Sequence, residues 1–151
     1  MEIAITKFFH LLAMSIWVGA GFTGPIDALR TLRLGKPHTD GLAARLRWIG
    51  RILAAAGTVT IATGLAFVFL KGGFKAVSPR IHAGILFSVL VFAVGGVGVA
   101  PVLRALGDAI AAGDDARVKT LGRRFLIAVW IEELLRLVVL GLMVTAGAPP
   151  A

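Results

Sequence analysis

Cysteine is absent from the 151 residues, and so is tyrosine. The first absence excludes disulfides, thiolate metal centres and cysteine nucleophiles. The second removes the phenol from any chemistry the chain could do. Acidic residues are scarce as well, eight against sixteen Lys and Arg, for a formal net charge of +8. No P-loop, Rossmann fingerprint or Ser-His-Asp arrangement is present, and the glycine cluster at 95–98 lacks the preceding strand that nucleotide binding needs. Apolar sequence, in contrast, is abundant. The hydrophobic fraction is 58% and the mean hydropathy +0.90, above the roughly 45–50% apolar content of a soluble domain.

That apolar content is concentrated in four segments, roughly 3–29, 48–70, 80–106 and 124–146. Each exceeds the ~20 residues that cross a ~30 Å hydrocarbon layer. The pattern predicts one all-α domain over 1–151, an integral membrane four-helix bundle in up-down-up-down order. The first segment reads as a retained span, too long for a cleaved signal peptide and without a basic cluster at its front.

The charge distribution sets an orientation. Eleven of the sixteen basic residues flank the 30–47 and 104–123 connections, and four (Lys7, Lys71, Lys75, Arg80) lie at the other end. This asymmetry predicts a bacterial inner (plasma) membrane protein with both termini outside. The basic charge then serves anionic headgroups of the lipid bilayer rather than nucleic acid.

Asp40 is the expected N-cap of the second helix, and Ser78-Pro79 reads as a cap with proline at the first helical position. Pro25 and Pro101 should kink or end helices one and three near their inner ends. Ala54, Gly57, Ile61 and Gly64 on helix two, and Gly95, Gly96 and Gly98 on helix three, are small enough for backbones to approach or for a flat ligand to enter. The GAPPA end reads as a frayed tail.

Ionisable residues inside such segments are costly, and they face a bundle interior or a partner. Five qualify: His10, His82, Glu132, Glu133 and Arg136. His10 and His82 begin helices one and three, at depths that differ by about 6 Å at ~1.5 Å per residue. Two imidazoles facing each other across a bundle suit the iron of a b-type haem. Met14, Trp17 and Gly21 continue the His10 face. The haem propionates would point toward Arg80, Lys71, Lys75 or Lys7, with Arg136 as a further clamp. Copper is the competing metal, because His10, Met14 and Met143 combine imidazole with thioether. In WIEELLRLVV, Glu132 and Glu133 lie four and three residues before Arg136, so both carboxylates can reach its guanidinium. This group reads as an internal ion pair, or as a catalytic proton relay, quinone contact or propionate clamp.

The spacing K-x-x-H-(six residues)-W-x-G, here Lys7, His10, Trp17 and Gly19, resembles the first helix of the copper-resistance D (CopD) superfamily, including the HemJ-type haem-containing membrane protoporphyrinogen oxidases. RIHAGI is similar to the histidine-bearing third helix of the HemJ type and places His82 on that histidine. The HemJ lysine two residues further on is Gly84 here. The resemblance implies a four-helix membrane protein that binds haem b, for electron transfer or as a membrane oxidoreductase. A haem carrier of this kind would exchange electrons with a quinone or redox protein, and because a lone four-helix bundle offers little room to wrap a haem, a homodimer is expected.

Overall fold

The computed structural model describes residues 2–146. The GAPPA end lies outside them. The chain is all-α: α1 (Glu2–Leu34), α2 (Leu42–Leu70), α3 (Pro79–Ala93), a π-helical turn (Val94–Val99), α4 (Ala100–Ala112) and α5 (Asp115–Ala146), with a short 3₁₀ turn at Phe74–Ala76. The segment from α3 to α4 is one rod, so four long helices alternate in direction. Around the bundle α1 neighbours α2 and α5, and the α3–α4 rod neighbours α5 and α2. The helices α1 and α3 are therefore diagonal. The tight seams are α1 on α2 and α3 on α5, whereas α2 and α3 touch little.

Three of these helices, Glu2–Leu34, Leu42–Leu70 and Pro79–Ala112, are long and apolar enough to cross a membrane. The helix α5, expected as an equally apolar fourth span, carries Glu132, Glu133 and Arg136 in the middle of its apolar stretch. Its length suffices, but its apolarity is interrupted, and the bundle compensates by turning Glu133 and Arg136 inward.

All four helices extend past their apolar segments, because amphipathic ends continue the hydrogen-bond ladder outside the lipid-like core. The start of α2 moves forward to Leu42, and its N-cap is Gly41 rather than Asp40, with no side-chain cap. Ser78 does cap α3 ahead of Pro79, through its carbonyl, which accepts from the Ile81 N–H at 3.0 Å. The helix α4 stops at Gly113, whose left-handed φ of 68° lets the Asp114 N–H reach back to the Ala109 carbonyl. Asp114 then caps α5 by accepting the Arg117 N–H at 3.0 Å.

The two prolines behave differently. Pro25 sits inside α1, which continues to Leu34 rather than ending. Pro101 lacks the N–H that the Val97 carbonyl would take in an α-helix. Just before it the backbone adopts π geometry, the Ala100 N–H bonding the Gly95 carbonyl.

Two packed clusters fill the bundle. One, at the arginine-rich end, joins Ala28, Leu42, Leu46, Leu106 and Phe125. The other, at the opposite end, joins Met14, Trp17, Ala56, Val91 and Val139. Gly57 supplies the close approach in the second cluster. A Cβ there would lie 2.7 Å from the Phe92 ring and 2.9 Å from the Trp17 indole nitrogen. At the arginine-rich end, Arg45 bridges Asp27 at 2.9 Å and also donates to Thr31, tying α2 to α1. Both partners are partly exposed, so the tie contributes well under about 1 kcal/mol.

Candidate functional site

Between the two clusters lies a cavity of about 520 Å³, within the ~300–1,000 Å³ range of small-molecule sites. It occupies the loose seam between α2 and the α3–α4 rod. Its walls are apolar, formed by residues such as Leu46, Leu53, Phe92, Leu103 and Phe125. Five lining positions are glycine: Gly21 and Gly24 on α1, Gly50 on α2, and Gly95 and Gly96 on the π turn. A side chain built at Gly50 or Gly96 would meet nothing within 4 Å. The cavity is therefore partly walled by bare backbone. At the arginine-rich end it is lined by Arg47, Arg51 and Arg104, and Glu132 and Arg136 line it from α5.

Arg136 organises its surroundings. Its two terminal nitrogens donate to Glu133 and Glu132, one to each carboxylate. Its guanidinium carbon lies 5.7 Å from the centre of the Trp17 ring, a cation–π contact across to α1. Glu133 is 1% exposed and Arg136 2%. Gly21 makes room for them, because a Cβ there would overlap the Glu133 carboxylate and the Arg136 guanidinium. Gly95 does the same for Glu132, which would lie 3.3 Å from a Cβ at that position. Two buried polar atoms in the triad have no partner, Glu133 Oε1 and Arg136 Nε.

The expected catalytic candidates Glu132, Glu133 and Arg136 therefore do come together, and two of them line a cavity. Glu133 and Arg136 are fully inward, and Glu132 is partly exposed. Arg136 is committed to two carboxylates.

The expected metal ligands have separate surroundings. His10 turns toward α2, its Nδ1 3.1 Å from the Thr60 carbonyl and 3.0 Å from Thr63 Oγ1, over Gly64 and edge-on to Phe67. His82 is exposed, its Nδ1 3.2 Å from the Ser78 carbonyl of its own helix, with Phe74 alongside. In each case an Nδ1–H donated to a carbonyl leaves Nε2 with a free lone pair, the tautomer that metal-binding imidazoles use. The tautomers suit a haem iron. The rings stand on diagonal helices and have different hydrogen-bond partners, α2 for His10 and its own helix for His82. Among the described residues no group of three or more His, Asp or Glu side chains gathers as a metal site.

The remaining expected cofactor contacts are structural or belong to the cavity. Met14 is buried in the cluster that holds Trp17 and Val139. Trp17, 2% exposed, lies under Arg136 and contributes to the cavity wall. Arg80 donates to the Thr145 carbonyl at 2.9 Å, satisfying the end of α5. Met143 lies over Gly84, where a Cβ would overlap its terminal Cε methyl, so a larger residue at position 84 has to displace the Met143 side chain. Of the copper set, Met14 and Met143 share one apolar cluster, whereas His10 turns onto Thr60 and Thr63 of α2.

The glycine-walled cavity was the feature that the histidines obscured. Its signal was present in Gly95-Gly96 and in the position of the triad, but only helix rotation and depth place these next to Gly21, Gly50 and the three arginines. Comparison of the chain with models of known protein families, with curated proteins and with solved structures finds no match.

Proposed function

We propose that this chain is a membrane protein that binds a tetrapyrrole for redox chemistry, with the macrocycle seated in the glycine-walled cavity. The observation that carries the reading is the cavity itself: apolar, partly faced by bare backbone, and lined by three arginines at one end. A flat macrocycle suits the walls. Ionised carboxylates on its edge suit Arg47, Arg51 and Arg104. The Arg136 Nε–H is a remaining buried donor for an acceptor on the ligand. Positive-inside asymmetry supports placing the arginine-rich end in the cytoplasm of a bacterial inner membrane.

Among the described lining residues there is no His, Cys or Met. The site therefore suits the shape and charge of a tetrapyrrole without supplying a customary iron ligand.

A second reading keeps haem b on His10 and His82, and the free Nε2 atoms of both rings favour it. Titration of protoporphyrin IX and of haemin into protein in zwitterionic nanodiscs separates the two. The cavity reading expects saturable quenching of tryptophan fluorescence by protoporphyrin, weakened at least tenfold by Gly96→Leu, with His10→Ala and His82→Ala binding as wild type. Unimpaired binding by Gly96→Leu overturns it. A low-spin haem spectrum lost in both histidine variants establishes the second reading instead.

A further inference from the structure

The triad on α5 has a charge imbalance that the binding reading does not use. Two carboxylates share one guanidinium. With both ionised, the group carries one uncompensated negative charge, and Glu133 and Arg136 are almost fully buried. Among the described residues, the elements packed against it place no second cation in ion-pair contact with either carboxylate. From α1 come Gly21 and Trp17, and from the π turn comes Gly95. The other charged lining residues, Arg47, Arg51 and Arg104, are on α2 and α4 and form no ion pair with either carboxylate. A buried charge without a counter-charge is neutralised by taking up a proton. Glu133 Oε1 has no partner, and an unpartnered oxygen is less costly on a neutral carboxyl than on an ionised one.

We propose that Glu132, Glu133 and Arg136 form a proton store that holds one proton between the two carboxyls at neutral pH and exchanges it with the cavity through Glu132. The two acids titrate as a pair. Glu133 is sealed beneath Gly21, whereas Glu132 lines the cavity and is the exit. In the transfer, the O–H bond of the Glu132 carboxyl breaks and an O–H or N–H bond forms on the acceptor in the cavity, water or a bound ligand. The carboxylate left behind stays on Arg136, and no electron moves in this step. With a tetrapyrrole as acceptor, the inference rests on the proposed function. The store itself does not.

Infrared spectroscopy of the ligand-free protein in nanodiscs tests it. The wild type should show one protonated-carboxyl C=O band at neutral pH, shifting promptly in D₂O. Glu132→Gln and Glu133→Gln should each abolish the band, because either change leaves one carboxylate balanced by Arg136. Arg136→Gln, if it folds, should roughly double it. Absence of the band in the wild type, or its survival in either glutamine variant, overturns the proposal. So does a D₂O shift as slow in wild type as in Gly96→Leu, because exchange then bypasses the cavity. Failure of protoporphyrin binding would remove the proposed function and leave the ligand-free spectra to judge the store.

Discussion

Gly21→Ala adds one methyl group where the fold has no room for it, and Gly19→Ala adds the same group two residues away in open space. In an ordinary helix either change stabilises by about 0.5–1 kcal/mol, through the backbone freedom that glycine loses on folding. At position 19 a Cβ meets nothing within 4 Å, so that gain should be realised. At position 21 the methyl overlaps the Glu133 carboxylate and the Arg136 guanidinium, both buried and held to each other as an ion pair. Overpacking of this kind costs about 1–3 kcal/mol. If it separates the pair, an uncompensated buried charge raises the loss to about 3–5 kcal/mol. Set against the helix gain, overpacking alone costs up to about 2 kcal/mol and separation of the pair at least that much, so a loss of about 2 kcal/mol is the expected value. For a chain of this size that is a fall in Tm of roughly 4–8 °C. Thermal melts of both variants in one detergent, followed by far-UV circular dichroism, measure the difference. If Gly21→Ala melts level with Gly19→Ala, the buried triad is not where the structure places it, and the cavity's inner wall falls with it.

Gly84→Ala should lose about the 0.5–1 kcal/mol of helix gain by displacing the flexible end of Met143. Adding Met143→Ala should recover part of that loss, so the double variant is less destabilised than the sum of the singles in a double-mutant cycle of melts. Asp114→Ala removes the side-chain acceptor of the Arg117 N–H and should destabilise by about 1 kcal/mol, with faster amide exchange confined to the first turn of α5.

Much of the architecture was legible along the chain. Apolar runs longer than a bilayer thickness leave few folds open, because backbone polar groups in lipid must bond within their own segment. The helix order, the single domain and the basic end all follow from that. Helix ends were less legible, since Asp40 and Gly41 are both plausible caps and the choice depends on how the 35–41 connection turns. The acidic pair and Arg136 were recognisable as an intramembrane cluster because three- and four-residue spacing is a local property of a helix.

Length, hydropathy and charge asymmetry thus determined a membrane-type helical bundle with an ionised group inside it, because each is a property of one segment read alone. Only the tertiary structure decided what faces what. The rotation of α1 turns His10 onto α2, and that of α3 leaves His82 at the surface. The π turn before Pro101 brings Gly95 over Glu132. Glycines from three elements then line one space, an arrangement that depends on side-chain volumes meeting across helices and has no signature in any single stretch of sequence.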